Sequence, residues 1–274
     1  MQYREIGFYW SGSKMSWLRY MTLYSFRKYN PEWKINVFYD NFGSKQTWNT
    51  ADNNYQDFTE YRGSDFVEHL KKLAVNYIEW IPENKDFNFE NVAPSQRSNF
   101  FKWELLSKGG MYCDLDILFI EPIDKVEDAI ATHDCGLTYD KYYSIGFMFS
   151  HGIGRKMFFG ILENAYKTFD RNQYQGAGVM TLYKKWPDVN SLVKSFPGVK
   201  FFNVPMEWFY YNDSEKKEKI FIENNYSEVK KVSMGIHWYA GCRFTQDKNN
   251  EINEETYKNY NNTLCAALKE ILND

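Results

Sequence analysis

A single α/β domain built around a parallel sheet is predicted by three features of the sequence. Its first 40 residues read as strand, helix, strand. Amphipathic helices and short apolar runs then follow one another as far as residue 237. No internal repeat and no linker rich in Pro or Gly divides the 274 residues. A βαβ unit favours parallel pairing. At roughly 150 residues per domain the length admits one large or two small domains, and the undivided pattern selects one, with an irregular C-terminal half.

The elements follow in order. Ile6–Trp10 is an apolar strand that stops at Ser11-Gly12-Ser13. Ser16 suits an N-cap. Leu18, Met21, Ser25, Phe26 and Tyr29 recur at helical spacing until Asn30-Pro31. Lys34–Tyr39 alternates as a second strand, and a polar, Asn-rich loop follows. Ser64–Tyr77 reads as a helix with Val67, Leu70, Ala74 and Tyr77 on one stripe. Ser95–Lys108 reads as another, closed by Gly109-Gly110. Met111–Ile120 is predicted as an apolar strand carrying two acids, and Ile145–Ser150 as a buried strand. Arg155–Phe169 and Ala177–Lys185 read as helices, Lys200–Val204 and Val232–His237 as short strands. Glu254–Leu272 reads as a terminal helix with Tyr257, Tyr260, Leu264, Leu268 and Ile271 on one face. That face suits packing on the body. Peripheral contact with a membrane is the other use of such a face.

Composition removes several function classes. A net charge of -3 is no footprint for nucleic acid or an anionic membrane. A mean hydropathy of -0.63 and no apolar run near ~18 residues argue against a membrane span. No leader pattern follows Met1, so a cytoplasmic location is expected, with reduced, buried Cys113, Cys135, Cys242 and Cys265. The cysteine spacings fit neither a zinc ribbon nor a thioredoxin motif. No HExxH, GxSxG, Walker A or GxGxxG string occurs. The 22 Tyr, 22 Phe and 9 Trp supply core volume, and also rings that stack on sugars and bases.

The richest segment runs from Ser98-Asn99 to Gly109-Gly110-Met111-Tyr112-Cys113-Asp114-Leu115-Asp116. On a strand, residues i and i+2 share a face, so Asp114 and Asp116 would point together while Leu115 enters the core. Two adjacent carboxylates repel and need a compensating charge. A divalent cation with oxygen preference, Mn²⁺ or Mg²⁺, supplies it and also takes substrate phosphates. Acid-x-acid alone says little, because a chain this acidic shows about four or five by chance. Here the pair lies in an apolar run after a helix that stops at a double glycine.

Gly-Gly-x-Tyr-x-Asp-x-Asp resembles the DXD sugar-transferase family, which includes yeast outer-chain mannosyltransferases, bacterial polysaccharide transferases and, distantly, glucosylating toxins. Three further landmarks are similar to it in order: Phe8-Tyr9-Trp10-Ser11-Gly12, Asn30-Pro31-Glu32-Trp33, and Ile236-His237-Trp238-Tyr239-Ala240-Gly241. The resemblance implies a GT-A-like fold with a mixed, mostly parallel sheet flanked by helices. Its nucleotide-binding part would cover about 1–125 and its acceptor and donor-sugar part about 126–245, with the terminal helix at about 254–272. The chain departs from the pattern at Asn99 and Lys102, where the family has Asp and Arg, and Lys102 to Gly109 is one residue short. Ser98 and Phe101 are the other candidates for those aligned positions.

What the resemblance implies about function is metal-dependent transfer of a sugar, with retention, from a nucleotide diphosphate sugar (UDP favoured) to a glycan or other hydroxyl acceptor. Polysaccharide biosynthesis is the natural setting. Trp10, beside Gly12, would stack on the base. Asn99, Lys102, Tyr112 and Asp114 would bind the nucleotide sugar, with Trp238 flanking the sugar. Asp114 and Asp116 would be catalytic through Mn²⁺ or Mg²⁺, and His237 would complete the metal or diphosphate site, unless it is a core histidine. Gly176-Ala177-Gly178 resembles a glycine turn near the donor. Arg97 could reach a phosphate, with a surface position the favoured reading. The alternatives are a glycoside hydrolase using the two carboxylates without metal, and a non-catalytic carbohydrate-binding protein.

Overall fold

The computed structural model describes residues 4–43, 61–212 and 216–273. The strands are β1 (Glu5–Trp10), β2 (Lys34–Tyr39), β3 (Asn76–Glu79), β4 (Gly110–Cys113), β5 (Ile117–Phe119), β6 (Cys135–Tyr139), β7 (Tyr143–Ser150), β8 (Phe201–Asn203) and β9 (Gly235–His237). The helices are α1 (Trp17–Tyr29), α2 (Pro94–Lys108), α3 (Asp124–Thr132), α4 (Arg155–Thr168), α5 (Val179–Lys185), α6 (Val189–Lys194), α7 (Lys219–Ile222), α8 (Tyr226–Val232), α9 (Arg243–Glu251) and α10 (Thr263–Leu272).

Seven strands form one sheet in the order β3-β2-β1-β4-β7-β6-β8, and β5 and β9 form a small antiparallel pair. Only β7 runs against its neighbours in the large sheet, so the sheet is mixed and mostly parallel, as expected. Alternating side chains feed two cores. Ile6, Phe8, Met111 and Cys113 join α1, whereas Tyr9 and Tyr112 join α2 and α4 on the other face. The opening βαβ unit forms as read. Ser16 caps α1 by accepting from the Arg19 amide at 3.4 Å, and β1 pairs with β2 in parallel.

Four readings need correction. Residues 64–77 are not one α-helix: a 3-10 helix at Val67–Leu73 ends in Ala74 at φ 49°, and Asn76–Glu79 becomes β3. The open edge of β2 captures that segment, with Tyr77 stacked on Tyr39 at 4.4 Å, and the pairing overrides the helical stripe. Met111–Ile120 is not one strand. It breaks at Asp114, whose amide donates to Gly146 O at 2.7 Å, and resumes as β5 on β9. Val232 ends α8 rather than starting β9. The terminal helix begins only at Thr263, because Asn262 caps it by accepting from the Cys265 amide at 2.9 Å. Its Leu264, Leu268 and Ile271 are fully buried, so this face packs on the body, as expected.

All four cysteines are free and buried. Among the described residues no helix is long and apolar enough to cross a membrane. The Asn-rich stretch 44–60 lies outside the described residues.

Candidate active site

β1 is flanked by β2 on one side and β4 on the other, so the chain reverses its direction of travel across the sheet there. Loops leaving the carboxyl ends of parallel strands diverge at such a point and open a crevice. A cavity of about 380 Å³ lies at these ends, lined among others by Trp10, Arg19, Asn99, Lys102, Asp114, Asp116 and His237. That volume suits a small ligand. A larger cavity, about 910 Å³, lies at the opposite ends of the same strands, and among the described residues Glu5 is its only carboxylate.

Asp114 follows β4 directly. Its Oδ1 accepts from the Tyr112 hydroxyl at 2.5 Å and from Lys102 Nζ at 3.1 Å. Lys102 reaches it from α2 with 3% of its side chain exposed, against 27% for Asp114. The Tyr112 hydroxyl also meets Ser98 Oγ at 2.9 Å. Burial, then the Asp114 charge, pushes the Tyr112 hydroxyl well above its ordinary range, so it stays a donor.

Asp116 is held by the strand it faces. The Trp238 amide donates to its backbone carbonyl and the Ala240 amide to Oδ2, both at 2.8 Å. Oδ1 lies 3.1 Å from His237 Nε2. Burial alone would raise this carboxyl. The charge and hydrogen bond of His237, then Arg19 and the Ala240 amide, outweigh it and bring the group down to about 2. Both acids and His237 therefore converge, although the strand between the acids is broken. β5–β9 pairing, with Ile117 opposite His237, brings in the imidazole. Gly146 makes the close approach possible. A Cβ there would meet the Tyr210 hydroxyl at 2.9 Å and Asp114 Oδ2 at 3.1 Å.

One oxygen from each acid and one nitrogen of His237 lie within 4.8 Å of one another. Two hard carboxylates plus one imidazole suit Mn²⁺ or Mg²⁺. His237 Nδ1 is buried without a hydrogen-bond partner, and the ring packs edge-on against Tyr210 and Tyr239 with Nε2 toward the site.

The other predicted site residues divide. Trp10 lines the cavity, and its Nε1 is buried without a partner. Gly12 does not line it. Gly12 is exposed and lies against the Trp10 ring, where a Cβ would come within 2.7 Å of Cζ2. Asn99 and Lys102 both face the cavity, and Asn99 donates to Gln175 Oε1 at 3.1 Å. The shortened helix end has thus not rotated them away, and Phe101 is the one inside the core, stacked on Tyr9. Tyr112 is buried and acts on the cavity only through Asp114.

Trp238 is 1% exposed and outside the cavity lining, so it cannot flank a sugar. Its apolar ring completes the core below His237 instead. Arg97 is no surface residue either. It is 1% exposed, with Nε 2.8 Å from Asp40 Oδ2 and Nη2 donating to Ser11 Oγ at 2.8 Å. The Gly176-Ala177-Gly178 turn lies behind the wall: none of the three lines the cavity, whereas Gln175 and Val179 on either side do, and Trp103 Nε1 donates to Ala177 O at 2.7 Å. The sequence reading missed Arg19, Gln175 and Tyr210. Arg19 sits next to buried Leu18 and three residues before buried Thr22, and it carried no motif. Gln175 had a signal in the adjoining glycines.

Residues 16–135 match the family model for the glycosyltransferase sugar-binding region containing the DXD motif. No curated protein matches the sequence. Among solved structures the chain is similar to the PaToxG glycosyltransferase (16% identity, 70% of this chain on 72% of that one, TM-score 0.42). It is also similar to the glycosyltransferase GlyE of Streptococcus pneumoniae TIGR4 (10% identity, TM-score 0.49), covering 94% of this chain but only 64% of that one. The galactosyltransferase LgtC, solved with donor and acceptor sugar analogs, is similar at 14% identity, with 93% of this chain on 99% of that one and a TM-score of 0.42.

Proposed function

We propose that this chain, whose residues 16–135 match the family model for the DXD-containing glycosyltransferase sugar-binding region, moves a sugar from a nucleotide diphosphate donor to a hydroxyl of a glycan or similar acceptor. UDP-sugars are the favoured donors. The observation that carries this reading is the convergence of Asp114, Asp116 and His237 at the carboxyl ends of β1 and β4. These three would hold Mn²⁺ or Mg²⁺. When bound, the ion supplies Lewis-acid neutralisation of the departing diphosphate.

The chain's own groups do the rest. Trp10 offers an aromatic face for the base. Lys102 pairs with Asp114 and orients it, and Tyr112 keeps its hydroxyl on the same carboxylate. Asn99 and Lys102 face the volume where a donor sugar and its phosphate would lie. In the transfer the anomeric carbon–oxygen bond to the diphosphate breaks as a bond to the acceptor oxygen forms. The acceptor's proton passes to the departing phosphate. A displacement on one face needs positioning and charge stabilisation but no protein nucleophile, and retention follows.

A hydrolase needs two carboxyl groups free to act on the scissile bond, whereas Asp114 is paired with Lys102 and Asp116 with His237. The four free thiols suit a reducing compartment. The test is UDP release from a panel of UDP-sugars with a glycan acceptor, with Mn²⁺ and with chelator. Release that depends on a divalent ion is expected. Activity equal in chelator would remove the metal, and inertness toward every nucleotide sugar would remove the donor class.

A further inference from the structure

Arg19 stands at the start of α1, where the helix enters the cavity wall. Its guanidinium carbon lies 5.1 Å from the centroid of the Trp10 ring and 5.7 Å from that of Trp238. The cation is thus clasped between two indoles, one of which lines the cavity. Burial lowers its pKa, while the charges of Asp116 and Asp114 act in the opposite direction, and an arginine in such a place remains charged.

What sets Arg19 apart is its hydrogen bonding. A guanidinium carries five N–H donors in a planar fork. Arg27 gives its donors to the carbonyls of Pro31, Trp33, Leu73 and Ala74. Arg97 gives its donors to Asp40, Val92 and Ser11. Among the described residues the Arg19 guanidinium has neither a hydrogen-bond acceptor nor an ion pair, although it lines the same cavity as two carboxylates. Arg19 is only partly buried, so these donors are open to an acceptor that enters the cavity. A ligand with several anionic oxygens would supply those acceptors. The position selects which part of the ligand: Arg19 lies against Trp10 and is attracted by Asp114 and Asp116, between the ring offered to the base and the acids.

We propose that Arg19 is a diphosphate-binding residue, donating its planar fork to the phosphate oxygens of the donor and of the nucleoside diphosphate left after transfer. This rests on the reading of the donor as a nucleotide sugar. Arg19 and Lys102 together also offset the two carboxylates, so the acids do not repel an incoming diphosphate. Phosphate recognition by such a fork is geometric as well as electrostatic, so lysine replaces it only in part.

The test is calorimetric titration of UDP, GDP, uridine and inorganic pyrophosphate into wild type, Arg19→Met and Arg19→Lys, each with Mg²⁺ and with chelator. Wild type is expected to bind UDP or GDP and, more weakly, pyrophosphate. Arg19→Met is expected to lose about 10- to 100-fold in affinity for the diphosphates, the range of charged hydrogen bonds, with uridine affinity unchanged. Arg19→Lys should recover part of the loss, and it serves alone if Arg19→Met does not fold. Unchanged diphosphate affinity in the folded variants overturns the proposal and leaves Arg19 a packing cation. An equal loss for uridine and UDP also overturns it, since Arg19 would then act by placing Trp10. Failure of wild type to bind UDP, GDP or pyrophosphate overturns the nucleotide-sugar reading itself, and this proposal with it.

Discussion

Helix α2 carries two cations that each pair with an aspartate just beyond a strand, and the two pairs have opposite fates. Arg97 meets Asp40, after β2, at 2.8 Å, with both side chains 1% exposed. Lys102 meets Asp114, after β4, at 3.1 Å, and a quarter of the Asp114 side chain remains open to the cavity. The first pair is sealed by Tyr9, Ser11 and the Val92 carbonyl. The second keeps oxygens available. Geometry and residue type differ little between them. Solvent access is what separates an ion pair that fixes two loops from one that can exchange its partner for a ligand.

The sealed pair is where the largest change in stability is expected. Asp40→Asn leaves a buried guanidinium that cannot shed its charge, and should cost about 3–5 kcal/mol. Thermal unfolding should register this as a fall in Tm of roughly 10 °C or more. Arg97→Met should cost less, because Asp40 can neutralise. Burial already raises the Asp40 carboxyl, and Arg97 offsets that only in part. A carboxyl raised in the folded state carries no penalty below its unfolded value of roughly 4, and the penalty grows as pH rises through the folded value. The Tm difference between wild type and Arg97→Met should therefore be larger at pH 7 than at pH 4. A difference that shrinks toward pH 7 would mean that Asp40 is not the group left unpaired.

The open region should respond in activity more than in stability. Asp116→Asn is expected to lower kcat for UDP-sugar turnover by about 10²- to 10³-fold, as for loss of a transition-state electrostatic contact. Its melting point should fall modestly, since Asn keeps an acceptor for the Ala240 amide but loses the charge paired with His237 and Arg19. Full turnover in this variant would break the assignment of the acids. Trp10→Ala comes next, with UDP bound about 10- to 100-fold more weakly by calorimetry, the range of ring stacking on a base. Unchanged UDP affinity with a large loss of stability would move Trp10 from the open region to the sealed one.

The smallest effect concerns Asn99 and Lys102. An Asp and an Arg at these positions would add charged, forked contacts where neutral or single-point ones now stand. The Asn99→Asp, Lys102→Arg double variant should sharpen the kcat/KM ratio between best and second-best donor sugar by roughly threefold to tenfold. An unchanged ratio would show that Lys102 serves only to hold Asp114.

Local signals and long-range contacts divide this molecule cleanly. α1, α2, α4 and β7 were legible because their apolar spacing and their stops are written in adjacent residues. The Gly109–Asp116 string marked the acids for the same reason. Ser64–Tyr77 misled because a helical stripe met the unpaired edge of β2, and strand pairing with a distant segment decided its form. Asp114 and Asp116 were expected to meet through strand alternation. They meet instead because the chain breaks between them and each carboxylate is drawn to a different partner, Lys102 and His237.

By itself, then, the sequence determined the alternation of helices and strands, the parallel start of the sheet and the position of the paired acids, since each depends on neighbours a few residues apart. Only the tertiary structure decided which aromatic and charged side chains reach the cavity. Trp10 and Trp238 are alike in composition, yet one lines the site and the other is core. Arg19 and Arg97 are alike in charge, yet one keeps its donors free at the cavity and the other is locked on Asp40. Burial and pairing are properties of contacts between residues tens of positions apart, and no local spacing encodes them.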